Sequence, residues 1–176
     1  MDEGIFDTRV AGLYVHGDRS TRQGDTEPTP MVAMPRVDAV EDTGLRQDRR
    51  YFRPADPGRE RKRQVSLIDE GTIWRLEAEF GLIDRSLIKA QIVLEGEIYL
   101  PHLIEAKLIF EGGAELTLSL VRKPCFAMDL IQPGLREAME AEQQGALARV
   151  TRSGPISMGD RISIRQPATA ASSPAE

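Results

Sequence analysis

Cys125 is the single cysteine of this 176-residue chain, and it follows an alternating apolar segment and two cations in Leu120-Val121-Arg122-Lys123-Pro124-Cys125-Phe126-Ala127-Met128-Asp129. Adjacent positive charge stabilises a thiolate, the form that attacks sulfur or binds a soft metal. Pro124 offers no N–H to a strand ladder, which predicts that the thiol sits at the mouth of the preceding strand. The competing reading is a small buried hydrophobe with no chemistry. A second feature lies upstream. Between Arg46 and Arg63 the sequence holds Arg46, Arg49, Arg50, Arg53, Arg59, Arg61, Lys62 and Arg63 against only Asp48, Asp56 and Glu60. Such a segment is either a solvated charged loop or an anion clamp, since the planar guanidinium fork suits phosphate.

Other chemistries find little support. One cysteine forbids an internal disulfide and every Cys-paired zinc motif, and His16 and His102 are too far apart in sequence to make a local metal pair, so zinc is not expected. No Gly-x-Ser-x-Gly, phosphate-binding loop or dinucleotide fingerprint is present, and neither histidine has a sequence partnership with Cys125. The net charge of −5 opposes general nucleic-acid binding. The start Met1-Asp2-Glu3-Gly4-Ile5-Phe6-Asp7 lacks a basic, apolar secretion signal, and no run approaches the roughly 18 apolar residues of a membrane span. A reducing cytoplasm is the expected location, with no membrane and no nucleic acid as partner.

The elements that must position these residues are mostly strands. Val10–Val15 reads as the first, followed by a loop from His16 to Pro30 and an edge strand over Met31–Val40 interrupted by Pro35. The Arg-rich stretch, with Pro54, Pro57 and Gly58, reads as a long surface loop. After the short strand Val65–Ile68, Asp69 is placed to cap a helix from Glu70 to about Glu79 that Gly81 would end, with Ile73, Leu76 and Phe80 facing the core and Trp74 packing beside them. Ile92–Leu94 and Glu97–Leu100 read as strand. Lys107–Phe110 and Ala114–Val121 flank Glu111-Gly112-Gly113 as a hairpin with Leu116, Leu118 and Leu120 inward. Leu135–Gln144 reads as a second helix, and Ala146–Arg152 and Pro155–Ile164 as two strands, the latter bending at Gly159-Asp160. The prediction is a mostly β fold, a compact barrel with two or so short helices. A domain over residues 10–166 would carry an extension at 1–9 and a disordered Ala-, Ser- and Pro-rich tail at 167–176.

From Gly12 to Ile164 the sequence resembles the MOSC family, named after the C-terminal domain of molybdenum-cofactor sulfurase. The pieces come in the family's order: Thr43-Gly44-Leu45-Arg46-Gln47-Asp48-Arg49-Arg50, Arg63-Gln64-Val65-Ser66-Leu67-Ile68, Gln91-Ile92-Val93-Leu94-Glu95-Gly96, Arg122-Lys123-Pro124-Cys125, and Ala148-Arg149-Val150 through Ile156-Ser157-Met158-Gly159-Asp160-Arg161-Ile162. Two departures stand out. Gln47 occupies the place of the usual glycine before Asp48, and Lys89-Ala90-Gln91 replaces Arg-x-Asn, keeping a cation and an amide. The resemblance implies a MOSC-like β-barrel that binds molybdenum cofactor (molybdopterin) through Asp48, Arg49, Arg50, Arg63, Lys89, Gln91 and Arg122. Cys125 would carry sulfur as a persulfide or ligate molybdenum. It further implies either a sulfur transferase or a cofactor-dependent reductase of N-hydroxylated compounds. A cysteine desulfurase or a molybdoenzyme would be the partner, because 176 residues leave no room for a pyridoxal-phosphate (PLP) desulfurase half. The alternative is a non-catalytic barrel that binds an anionic ligand or a protein, with Cys125 buried and inert.

Overall fold

The computed structural model describes residues 5–52, 62–142 and 144–167. Arg53, Arg59 and Arg61 of the basic segment, and the expected tail from residue 168 onward, lie outside the described residues. The elements run β1 (Ile5–Val15), β2 (Val32–Ala33), β3 (Arg36–Val40), β4 (Gly44–Leu45), a 3-10 turn at Arg49–Phe52, β5 (Val65–Asp69), α1 (Glu70–Phe80), a 3-10 turn at Arg85–Leu87 and β6 (Ile92–Leu94). A 3-10 turn at Leu100–Leu103 follows, then β7 (Lys107–Phe110), β8 (Glu115–Val121), α2 (Ala127–Ile131), α3 (Leu135–Ala141), β9 (Ala146–Arg152), β10 (Gly154–Ser157) and β11 (Arg161–Arg165).

Seven strands close into a mixed barrel in the order β1-β11-β7-β8-β9-β5-β6 and back to β1. Closure comes from the two ends of the chain: Ile5 to Arg9 pair antiparallel with Arg165 to Arg161. The first strand therefore starts inside the stretch expected to be an extension. The parallel pair is β5 with β6, joined by a crossover through α1. Strands β10, β3 and β4 form a separate small sheet.

Side-chain alternation sorts the apolar residues into two cores. Leu67, Leu94, Leu108, Phe110, Leu116, Val150, Ile162 and Ile164 fill the barrel. Their neighbours Ile68 and Val93 point outward onto Ile73 and Leu76 of α1, Met128 of α2, and Leu135 and Met139 of α3. Helix α1 begins as its sequence dictates, with Asp69 accepting from the Thr72 backbone N–H at 3.2 Å and from its hydroxyl at 2.8 Å. Gly81 closes it, its N–H donating to the Glu77 carbonyl.

Six expectations need correction. Trp74 is 50% exposed, because the buried arc of α1 is centred on Ile73 and Leu76 and Trp74 projects beside that arc into solvent. Glu97–Leu100 is no strand: the Ile98 N–H is taken by Asp69 Oδ2 at 3.1 Å and Pro101 lies within the following 3-10 turn. Leu120 is only half-buried, since the register of β8 against β9 shifts between Leu118 and Leu120. The Met31–Val40 and Pro155–Ile164 strands are each split, the first around Pro35 and the second around Gly159, so that β3 and β10 leave the barrel and pair with each other. The second helix divides as well. Leu135–Ala141 is shorter than predicted, and α2 adds a turn directly after Cys125.

Candidate functional site

Strand β1 ends at Val15 and delivers His16 into a buried polar chain. The His16 backbone N–H and its Nδ1 both lie 2.8 Å from Asp48 Oδ2. Gln91 Nε2 donates to the same oxygen at 2.8 Å, and the Arg50 backbone N–H donates to Oδ1 at 2.7 Å. Gln91 Oε1 in turn accepts from the Ser66 backbone N–H at 2.9 Å. Ser66 of β5, Gln91 at the start of β6, Asp48 ahead of the Arg49–Phe52 turn and His16 after β1 are thereby linked, and all four are buried. Such a chain is affordable in a core because nearly every member is satisfied.

The exception is His16 Nε2, which is buried and has no hydrogen-bond partner among the described residues. Burial lowers the His16 pKa, Asp48 opposes through its hydrogen bond, and the charges of Arg50 and Lys89 lower it further. Burial pushes the Asp48 carboxyl up, yet the hydrogen bonds it accepts from the His16 ring, the His16 backbone and the Arg50 backbone pull it down, and it is held below the usual carboxylate range. The pair is thus a neutral imidazole donating Nδ1–H to a carboxylate, with a bare acceptor at Nε2.

Three cations gather near this chain. Lys89 adopts a left-handed backbone (φ 65°) and donates Nζ to the Thr29 carbonyl. Arg122, 7% exposed, donates Nη1 to Gln144 Oε1 at 2.8 Å and Nη2 to the Ile88 carbonyl. Burial brings its pKa down to about 10, with Cys125 opposing and Arg50 adding, so it stays charged at neutral pH. Lys89 is lowered by burial, with the same two neighbours acting in the same senses. Cys125 therefore lies within the field of both Lys89 and Arg122, and Arg50 within that of Lys89, Arg122 and His16.

Cys125 itself is exposed. It follows β8 and Pro124 and precedes α2, at the strand mouth as predicted. The burial assumed by the inert-cysteine alternative is not found. Arg49 donates Nη1 to the Asp18 carbonyl at 3.0 Å and keeps a buried Nε without a partner among the described residues. Arg63 is exposed ahead of β5 and has no hydrogen bond or ion pair to the buried chain among the described residues. Asp48 and Gln91, expected at the ligand surface, are buried, with their side chains bonded to His16, to the Arg50 and Ser66 backbone and to each other. His16 was not singled out from sequence. Its partner lies 32 positions away, so no spacing announces it, and the one signal is a histidine directly after an apolar strand.

Among the described residues no three His, Cys, Asp or Glu side chains converge as a metal site. The residues nonetheless fit an anionic, sulfur-seeking group: an accessible thiol, cations that feel it, and buried polar atoms at His16 and Arg49 that lack partners among the described residues.

No protein-family match is found for this sequence, and no curated protein matches it significantly. By structure the chain is similar to the YuaD protein from Bacillus subtilis, at 21% identity and a TM-score of 0.73, over 93% of this chain and 98% of that one. It is also similar to YiiM from Geobacillus stearothermophilus (15% identity, TM-score 0.66, 93% of this chain and 78% of that one) and to YiiM from Escherichia coli (12%, 0.64, 90% and 70%). At these identities the shared property is the fold, a MOSC-like barrel. None of the described helices is long and apolar enough to cross a membrane.

Proposed function

We propose that this MOSC-like barrel binds molybdenum cofactor in the cationic cluster of Lys89, Arg50 and Arg122 and uses Cys125 as its sulfur centre. The observation that carries the reading is the exposed Cys125 thiol in the field of Lys89 and Arg122. An accessible sulfur beside two cations can meet an anionic group that carries a thiophilic centre, and soft sulfur is the side-chain atom suited to sulfane sulfur or molybdenum. Arg122 is fixed by Gln144 and the Ile88 carbonyl, and Lys89 by the Thr29 carbonyl, so the charges are set before a ligand arrives. The bound cofactor would supply a phosphate for these cations and a thiophilic metal.

Sulfur carriage needs no second cysteine. The Cys125 thiolate attacks the outer sulfur of a donor persulfide. The bond between the donor's two sulfurs breaks, the Cys125 sulfur–sulfur bond forms, and the donor leaves as a thiolate. No external oxidant enters. A cysteine desulfurase would be the donor, and a molybdoenzyme or its cofactor the recipient.

Anaerobic purification followed by molybdenum and pterin analysis tests the cofactor. Stoichiometric pterin that is lost in Lys89→Met supports the proposal, and protein free of pterin after exposure to the cofactor removes it. Incubation with a persulfide donor tests the sulfur step: a mass gain of one sulfur atom on Cys125 is expected, and an unmodified thiol overturns that step.

A further inference from the structure

The cations of the cluster share one limitation. Lysine and arginine only donate hydrogen bonds, so a site built from Lys89, Arg50 and Arg122 alone distinguishes anions by charge and shape and is blind to whether the ligand carries a proton. His16 is of the other kind. Its side chain is almost wholly buried, its Nδ1 is committed to Asp48, and this turns Nε2 to the opposite side of the ring. Both neighbouring cations are tied by their backbones to the chain that holds the ring: the Arg50 N–H donates to Asp48 Oδ1 at 2.7 Å, and the Lys89 carbonyl accepts from the Ser66 hydroxyl at 3.2 Å. Their charges act on the ring together with that of Asp48. Nε2 has no partner among the described residues. A buried acceptor left open is destabilising, and native structures rarely retain one without use.

We propose that His16 Nε2, held by Asp48 among the cations, is the acceptor that selects a ligand carrying an N–H or O–H donor next to its negative charge. The proposal rests on the anion-binding reading above and adds the ligand's second requirement. An anion with a donor satisfies both the cations and Nε2. An anion of the same charge with only lone pairs sets an oxygen against the lone pair of Nε2. The donor could reside on the anionic group itself or on a heterocycle attached to it, and the two sources are separable by probe.

Hydrogenphosphate and sulfate are both dianions at about pH 8 and differ in one O–H, whereas pterin-6-carboxylate bears its donors on the ring. The full chain, labelled with 15N-histidine, gives two imidazoles, and the exposed His102 is identified through His102→Gln. Each probe is brought to saturation as judged by calorimetry. The His16 Nε2 resonance is expected to move with hydrogenphosphate or with pterin-6-carboxylate and to stay in place with sulfate. Movement with hydrogenphosphate assigns the donor to the anionic group, and movement with the pterin alone assigns it to the ring. No movement at saturation with any probe, or equal movement with sulfate, overturns the inference while leaving the cationic site intact. If no probe binds, the cationic site itself is wrong and the inference falls with it. His16→Phe should lower the preference for the donor-bearing probe over sulfate by about 3- to 10-fold. Should that variant not fold, the resonance of the unaltered protein decides alone.

Discussion

Asp48 Oδ2 accepts two hydrogen bonds from one residue, the backbone N–H and the Nδ1–H of His16, each at 2.8 Å. The backbone bond ties the end of β1 to the segment before the Arg49–Phe52 turn, and the ring bond fixes the tautomer. Both partners have lowered pKa values in the folded state, and the two shifts act in the same direction on stability. A lowered histidine binds fewer protons folded than unfolded below its unfolded pKa of about 6.5, so stability is full above that pH and declines as the medium is acidified toward the folded value. Asp48 contributes in the same sense below its unfolded value of about 3.9. Thermal unfolding should therefore show a midpoint that falls between pH 7 and pH 5, and His16→Gln should flatten that fall. A midpoint independent of pH over this interval in the unaltered protein would show that His16 is not held neutral.

Removing the carboxylate has a larger effect than removing the ring. Asp48→Ala leaves two backbone N–H groups, the His16 ring N–H and the Gln91 amide without their acceptor. Buried orphaned donors cost about 1–3 kcal/mol each before relaxation, so a loss of at least about 3 kcal/mol is expected in denaturant unfolding. Asp48→Asn keeps the shape and an acceptor oxygen and should lose less. Equal stability of Asp48→Ala and the unaltered protein would mean that water replaces the carboxylate.

What the sequence disclosed and what it hid follow from the range of the interactions. The α1 cap at Asp69, the β7–β8 hairpin and the alternation of Leu116 and Leu118 are local, and each was legible. Closure of the barrel by Phe6 against Ile164 is not local, nor is the pairing of Val37 with Ile156 that draws two strands into a second sheet. For the site, Lys89, Arg122 and Cys125 were legible as chemistry by residue type and resemblance, and the fold brings them into one field. The basic segment reads as a unit in sequence, yet its described members differ: Arg50 acts on Lys89 and Arg122, Arg49 bonds the Asp18 carbonyl, and Arg63 is exposed with no bond to the buried chain among the described residues. Residue counts cannot show this division, because it depends on where the 3-10 turn points each side chain.

That division can be measured at the thiol. Lys89→Met removes a cation that acts on Cys125, whereas Arg63→Met removes one with no described tie to it. Alkylation of Cys125 by the anionic reagent iodoacetate should slow in the first variant and keep its rate in the second, because only the first loses a local cation that draws the reagent to the thiol. Equal slowing in both would indicate attraction by a diffuse basic surface.

Cys125→Ser should leave folding within about 0.5 kcal/mol of the unaltered protein, because the side chain is exposed and fills no core space. Persulfide formation should vanish completely. A variant that still gains sulfur would move the acceptor elsewhere, and one that unfolds would contradict the exposed placement of the thiol.

Gly145 joins the barrel to the site, and its substitution separates two kinds of backbone constraint. Its carbonyl accepts the Arg122 backbone N–H at 3.2 Å, which anchors the segment leading to Cys125. Its φ of 67° is one that side chains rarely adopt, and an added Cβ would stand 2.1 Å from the Leu67 carbonyl oxygen on β5. Gly159 has a similar φ of 81° but open space where a Cβ would go. Gly159→Ala should therefore carry only the conformational penalty, about 1–2 kcal/mol. Gly145→Ala carries that penalty and a clash with backbone that cannot rotate away, so its thermal midpoint should fall further. It should also change the alkylation rate of Cys125 through displacement of Arg122, an effect absent in Gly159→Ala. Equal losses in the two variants, with an unchanged thiol, would show that β5 and the Arg122 segment yield independently and that the barrel does not set the position of the site's cation.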